Sequence, residues 1–542
     1  MKMKNVIALL LVVMVLVACA NQPAGGGAVA PAPAAQGGTT EAAAPAPAAG
    51  NDEADASVSG RDTVVVASPV EPVTLFPFHS TLNTSMDTVP IQHNVFDPIV
   101  RMTADGEILP MLAHDWHIAE NGMYLRLYIR DDVYFHNGYK MIAEDVAWTL
   151  NEAAPSRQGI AQLANFDRAE VTGEWEVTVF LTAPYAPFIN GLANRFALVV
   201  SRQLFDEIGE DALNEHPIGT GPYKFVERVP GDSIYLVRNE NYWGGVPEIE
   251  NIIFRVIPDA NTQMIALEAG DIDVLIRGST SLLARLDVPH LDVDFVDSAG
   301  SGTLRFNLVS GPASNFYFRR FLQHMANRDD IILGAFEGTA SPAWMQIPHH
   351  FTGSPAPGTY TRFPFDQDLA RHYLELSGYA GEEFHLKVIA GTPDDSALQI
   401  FQGQLIEMGI NTRVSQVDAP SFNAMGQAGE YHASIRSNAV SVMDGDGIYH
   451  MWHSAHYTPG HFDAGHFTDE MDDLLDLSRI VIDPAERAAI FRDVVEKINQ
   501  DALALSLYYA PSAVAWNSSR LGGVHAHPLF AKFYFTDWYW VD

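Results

Sequence analysis

Residues 366–416 read DQDLARHYLELSGYAGEEFHLKVIAGTPDDSALQIFQGQLIEMGINTRVSQ, and their change of period decides the fold class. Apolar residues fall at helical intervals over 366–378 and again over 397–409. The two runs end at Gly378 and Gly409, the residue type that closes a helix in the left-handed conformation. Each run is followed by a short segment of strand character, 385–389 and 411–416. Working outward, 143–153, 318–336 and 484–502 have the same helical spacing, whereas 124–129 and 174–181 alternate with the period of two of a half-buried strand. Residues 63–67 are a β-branched strand signal, ended by the turn-rich Ser68-Pro69-Val70-Glu71-Pro72. Strands and helices interleave rather than segregate, which predicts an α/β fold. No repeat of fixed period occurs, and beyond the N-terminus no run of about 18 apolar residues, so solenoid and multispanning architectures are excluded.

At the amino terminus Lys2 and Lys4 precede an apolar run, 6–17, that ends in Leu16-Val17-Ala18-Cys19. Cys19 is the single cysteine among 542 residues. The arrangement resembles a bacterial lipobox, which implies that residues 1–18 are removed as a signal peptide and that Cys19 carries lipid, anchoring the chain without a span. Residues 19–60, after that cysteine, are rich in Ala, Pro and Gly; they cannot build a core and predict a semi-flexible tether. An exported chain without a second cysteine must be held together by packing alone. With 47% hydrophobic residues and a length beyond about 300 residues, several packed units are expected. The net charge of −35 repels a phosphate backbone, which excludes a nucleic-acid partner.

Two blocks of residues carry a family resemblance. The first runs Phe96-Asp97-Pro98-Ile99-Val100, Asp105-Gly106, Leu109-Pro110-Met111-Leu112-Ala113, Trp116, Asn121-Gly122-Met123-Tyr124, Ile129-Arg130-Asp131-Asp132-Val133-Tyr134-Phe135-His136-Asn137-Gly138 and Ala143-Glu144-Asp145-Val146. The second runs Gly219-Thr220-Gly221-Pro222-Tyr223, Asn239-Glu240-Asn241-Tyr242-Trp243-Gly244-Gly245-Val246-Pro247 and Leu267-Glu268-Ala269-Gly270-Asp271-Ile272-Asp273. In order and spacing the chain resembles the extracellular solute-binding proteins of family 5, the peptide and nickel receptors of ABC importers. Most of these residues read as structural. Asp105-Gly106 and Asn121-Gly122 are hairpin turns, and Glu144 and Asp145 complement a helix dipole. The glycines of 219–223 lack the Lys-Ser or Lys-Thr of a phosphate loop.

The resemblance implies a periplasmic-binding-protein-like fold of type II, cluster C. Its first lobe would be 61–301 plus 507–542, with an extra subdomain at about 105–217, and its second lobe 302–506. It also implies ligand contacts by position: Thr74 and Phe76 in the first loop, Asn94 in the first helix, Arg305, Phe306 and Asn307 at the lobe crossing, and Trp452 in the second lobe. Peptide-binding members carry a Trp and, three residues on, an Asp that pairs with the peptide's α-ammonium. Asn438 and Ser441 stand in those places here, with Asp444 and Asp446 close enough to substitute. An Asp-Gly turn is the favoured explanation of those two aspartates. His450, His453 and His456, followed by His461 and His466, form a second constellation open to two readings, a metal site or histidines at a cleft edge.

These features predict a monomeric receptor without a cofactor, which closes two lobes around a small solute and hands it to a permease driven by an ATPase subunit. The solute expected is an oligopeptide or peptide-like molecule; a nickel, haem or other metal-chelate receptor, or a chemosensory lipoprotein, is the alternative. An exported hydrolase is disfavoured, since no Gly-x-Ser-x-Gly or His-Glu-x-x-His motif occurs.

Overall fold

The computed structural model describes residues 62–542 apart from 73, 81–85, 157–158, 160–162, 440–442, 457–467 and 530–531. Cys19 and the Ala/Pro/Gly segment lie outside these residues, as do His461 and His466. The chain from residue 58 onward is one compact unit. No helix among the described residues is long and apolar enough to cross a membrane.

A long twisted sheet runs through the molecule. Its strands lie in the order Thr412–Val417, Phe384–Ile389, Ala433–Ala439, Leu291–Phe306, Ala504–Asn517, Val274–Ile276, Thr63–Ser68, Asn251–Val256, Ser233–Arg238 and Tyr223–Val229. In each half three strands are parallel, 384–389 between 412–417 and 433–439, and 63–68 between 251–256 and 274–276, the latter extended by the antiparallel strands 233–238 and 223–229. The helix Gln367–Ser377, closed by Gly378 at φ +68°, leads into the first of these strands, and the helices Pro393–Glu407 and Ala419–Ala428 connect the parallel strands of the first group. The second lobe has its own core, in which Phe318, Phe321, Phe384, Phe401 and Leu405 pack on one sheet face.

The two halves are joined by the antiparallel pair Leu291–Phe306 and Ala504–Asn517. The boundaries expected at 301/302 and 506/507 fall inside these strands, where the register shifts between Asp297 and Ser301 and again between Gly302 and Thr303. A register shift leaves ladder positions unpaired and bends the strand, which suits a crossing between lobes. Gly302 admits no side chain, because a Cβ there would meet the Tyr508 ring at 2.1 Å.

Within 105–217 a separate four-stranded antiparallel sheet forms from Ala113–Ile118, Tyr124–Ile129, Glu176–Leu181 and Phe166–Gly173. The expected turn glycines Gly106 and Gly122 have φ of +79° and +65°. The helix Ala143–Ala153 begins where expected, with Asp145 accepting from the Ile142 backbone N–H at 3.0 Å. One expectation is corrected: 318–336 is two helices, Phe316–Met325 and Arg328–Phe336. The break is local chemistry, since the Asn327 side chain accepts from the Asp330 N–H and starts the second helix as an N-cap.

The family blocks meet around a buried carboxylate. Asp97 accepts from Thr220 Oγ1 at 3.0 Å, Tyr242 OH at 3.0 Å and Trp243 Nε1 at 2.9 Å, which ties the first block to two of the three parts of the second. With neutral donors and no contact from the solvent, burial raises its pKa to about 6. Gly219 and Gly221 serve this packing: a Cβ on either would strike the Val95 carbonyl, at 2.1 and 2.8 Å.

Candidate functional site

In open α/β sheets ligands meet the loops at the carboxyl ends of parallel strands. Here those ends are Ser68 and Ile276 in the first lobe and Ala439 in the second. After Ile276 the chain turns through Arg277, held at φ +56°, a conformation that costs a non-glycine residue energy and is tolerated where its side chain is needed. The Arg277 guanidinium donates to Asp87, which is buried beside it.

The lobe-crossing strand supplies the polar surface on the second side. Ser301, Thr303 and Arg305 alternate with the core residues Leu304 and Phe306 and so share one sheet face. The opposite strand adds Arg436 across from Thr303 and Ser434 across from Arg305. Thr303 Oγ1 lies 3.4 Å from Ser506 Oγ, and an Arg305 guanidinium nitrogen lies 3.4 Å from Met451 Sδ. Arg436 is exposed. Ser437, on the other face, donates N–H and Oγ–H to Asp394 at 2.7 and 2.6 Å, and Tyr508 OH donates to the same carboxylate. Ser437 is thereby tied through Asp394 to Tyr508 of the crossing strand.

Several residues expected to touch ligand are instead committed to the fold. Phe76 is wholly buried, with its ring against Phe78 and Phe205 at 4.7 and 6.0 Å. Thr74 is buried below it, its carbonyl accepting from Gln92. Asn94 uses its amide on the carbonyls of Pro90 and Phe533 and on the N–H of Phe535, which bonds the first helix to the C-terminal tail. Phe306 is core, and Asn307 bridges the Tyr431 carbonyl and the N–H groups of Val309 and Ser310. Trp452 is buried and donates to Gln346 at 2.5 Å. Arg305 keeps its placement on the polar face. The side chain of Asn438 and the whole of Ser441 lie outside the described residues.

The two aspartates expected to replace a lost ammonium partner are already paired. Asp444 has no exposed surface and takes both Arg487 nitrogens, at 2.9 and 2.7 Å, with the Asn190 amide at 2.9 Å. Asp446 takes Arg479 at 2.6 and 2.9 Å and Tyr185 OH at 2.8 Å. Asn190 and Tyr185 belong to the extra subdomain, so this network joins it to the second lobe.

The histidines are close but are not arranged as ligands. His453 stacks on Tyr449 at 4.5 Å with Nε2 3.3 Å from Asp476, while His450 and His456 meet edge to face at 4.4 Å. The Arg479 guanidinium lies 3.2 Å over the Tyr449 ring in their midst. Burial first, then neighbouring positive charge, lowers the pKa of His450 and His456. Among the described residues no three His, Cys, Asp or Glu side chains are placed to hold a metal ion.

Residues 107–459 match the model of the bacterial extracellular solute-binding proteins, family 5 (middle). The chain belongs to this family. It is 27% identical over 502 residues to the nickel-binding periplasmic protein of Escherichia coli, covering 86% of this chain and 93% of that one. It is 25% identical over 448 residues to the glutathione-binding protein GsiB of Pectobacterium atrosepticum, covering 78% and 84%. The ABC transporter substrate-binding protein CtaP of Listeria monocytogenes shares the fold, with a TM-score of 0.78 at 20% identity over 89% of this chain and 99% of that one. A family 5 protein is a solute-binding receptor of an exported type, and the two-lobe α/β reading stands. Sequence reasoning missed Arg277, Asp87 and Arg436. Arg436 had a signal, since it sits two residues before Asn438 on the same face of its strand.

Proposed function

We propose that this family 5 protein is the lipid-anchored receptor of an ABC importer and that its solute is a small peptide-like molecule recognised through a carboxylate. The observation that carries this reading is the placement of the charges: Asp444 and Asp446 are closed off by Arg487 and Arg479, whereas the exposed Arg436 lies on the sheet face away from the second-lobe core, the face that also holds Arg305. A guanidinium fork matches a carboxylate bidentately, so this surface selects an anionic end more strongly than an ammonium end. A solute that touches both lobes stabilises the closed arrangement by the difference in its affinity for the two states, and no bond is made or broken. A polycarboxylate metal chelate would meet the same two arginines, and the nickel-binding relative supports keeping this second reading. Lipidation of Cys19 rests on the lipobox resemblance.

Native mass spectrometry of freshly purified protein tests the proposal, because a retained mass separates peptide from chelate. Arg436→Met should then weaken binding of that solute by about tenfold or more, the effect of losing a charged hydrogen bond. Unchanged affinity in both Arg436→Met and Arg305→Met would defeat the carboxylate reading. Lipid attachment is read from the mass of the N-terminal peptide, and its absence in wild type would remove the anchor.

A further inference from the structure

Two segments from elsewhere in the chain lie on the sheet face that carries Arg305 and Arg436, and one of them brings a buried amide that the receptor reading leaves unused. Ser301, Thr303 and Arg305 stand in a row on the crossing strand, with Arg436 and Ser434 opposite on the next strand, and all but Arg436 are buried. At the Arg305 end lies Met451, whose Sδ is 3.4 Å from the Arg305 guanidinium. Trp452, the next residue of the same short helix, donates its indole N–H to Gln346 Oε1 at 2.5 Å. At the Ser301 end lies Gln346 itself, its backbone carbonyl accepting from Ser301 Oγ at 3.3 Å. The carbonyls of its neighbours Met345 and Ile347 both accept from Tyr509 OH, at 3.0 and 3.2 Å, so the segment is held on either side. Ser301, Gln346, Trp452, Met451 and Arg305 thus form a closed circuit of contacts that spans Thr303.

The orientation of the Gln346 amide follows from donor chemistry. An indole N–H can only donate, so the amide oxygen must face Trp452 and the two N–H bonds of Nε2 point away from it. Gln346 is 7% exposed, and Nε2 has no hydrogen-bond partner among the described residues. A buried donor without an acceptor is costly, and such groups are as a rule satisfied. Position indicates which acceptor suits it. Same-face residues of a strand are about 7 Å apart, the length of about two extended residues. Gln346, bonded to Ser301, therefore stands about one or two peptide units from Arg436, which lies across from Thr303.

We propose that Gln346 is a specificity-determining residue of the solute site, its amide donating to a backbone carbonyl oxygen of a peptide whose carboxylate meets Arg436. This rests on the carboxylate reading above and narrows it, since the solute must carry an amide carbonyl near its anionic end. A solute without that acceptor leaves Nε2 unpaired when the lobes close, and a site built to hydrogen-bond rejects such a molecule strongly.

An equimolar library of synthetic tripeptides is the probe. Native mass spectrometry selects a tripeptide retained by wild type, and calorimetry then measures its affinity at pH 7 and pH 4.5. Gln346→Glu keeps an acceptor for Trp452 but replaces the donor by a carboxylate oxygen, so affinity at pH 7 should fall about tenfold or more. At pH 4.5 much of the loss should be recovered relative to wild type, because burial raises the pKa of the new carboxyl and its protonated form donates again. Gln346→Met lacks the donor at both pH values and should lose affinity at both. Unchanged affinity in Gln346→Glu and Gln346→Met at pH 7 overturns the proposal, and Arg436→Met weakening the same peptide would show that the carboxylate reading survives it. A loss in Gln346→Glu without acid recovery also overturns it, as the effect of a structural change. Loss with acid recovery beside unchanged affinity in Arg436→Met and Arg305→Met would keep the amide donor and defeat the carboxylate reading. A wild type that retains no tripeptide removes both. In crystals of the complex a peptide carbonyl oxygen should lie within hydrogen-bond reach of Nε2; a water in that place overturns the proposal.

Discussion

Two groups of buried charge occupy this molecule, and they are built in opposite ways. In the second lobe Asp444 and Asp446 each face an arginine in a forked ion pair, and a neutral side chain from the extra subdomain adds a further hydrogen bond to each. In the first lobe His93, His527 and Lys532 are buried, Lys532 donates to the Ala193 carbonyl, and desolvation lowers the pKa of each. The first group is complete within the chain, so its role is to fix geometry where the candidate ligand loop returns to the body. The second carries its burial as pKa values lowered by desolvation. The difference shows why buried charge as such is a poor pointer to a binding site: the state of pairing is the informative property.

The comparison breaks most visibly at Arg487. Arg487→Met strands Asp444 in the interior, and the loss should be about 3–5 kcal/mol, read by denaturant unfolding. Replacing both, Asp444→Leu with Arg487→Met, should restore much of that stability, because two apolar side chains need no solvation. A double variant as unstable as the single one would show that the pair contributes more than neutralisation.

Lys532 should behave in the contrary way. Its folded pKa, about 7, lies below its unfolded value of 10.5, so the folded state disfavours the charged form. Below pH 7 the lysine is protonated in both states and the cost is fully present. As pH rises from about 7 to 10.5 the cost disappears and stability grows, at up to about 1.4 kcal/mol per pH unit. Lys532→Met should therefore be more stable than wild type near pH 7 and lack this rise. Equal slopes in the two proteins would show that Lys532 is not the group responsible.

Asp97 is an intermediate case, a carboxylate with three neutral donors and no cation. Its folded pKa, about 6, exceeds the unfolded 3.8, so ionisation is penalised above pH 6 and the penalty vanishes below pH 4. Its contribution to stability should rise by about 3 kcal/mol as pH falls through that window, seen as the difference between wild type and Asp97→Asn. A difference independent of pH would mean that the three donors hold the carboxylate at an ordinary pKa.

The sequence made much of this legible where local rules operate. The helices ending at Gly378 and Gly409, the turns at Gly106 and Gly122 and the strand at 384–389 follow from period and turn chemistry, because each is decided within a few residues. Asn327 shows the limit, since its apolar neighbours keep helical spacing while a single side-chain hydrogen bond breaks the helix. The site was legible only in part. Asp444 and Arg487 are 43 residues apart, and no spacing rule joins them. Phe76 and Asn94 were placed near ligand by chain position, but the direction of their side chains depends on Phe205 and Phe533, which come from distant segments. The buried basic side chains His93, His527 and Lys532 likewise meet only once the C-terminal tail has returned to the first helix.

The smallest effect is the most discriminating. Tyr185→Phe removes one hydrogen bond to Asp446, and Arg479 still neutralises that carboxylate through two bonds, so no charge is stranded. The loss should be about 1 kcal/mol. Where that loss appears depends on which parts move. Tyr185 lies in the extra subdomain and Asp446 in the second lobe, so on opening this bond would be exchanged for water and on closing it would form again. The lost energy then belongs to the closed state, and solute affinity should fall about fivefold, measured by calorimetry. If affinity is unchanged and only the melting temperature falls, the segment around Asp446 travels with the extra subdomain as one body. The moving boundary would then lie before residue 443 instead of at the crossing strands.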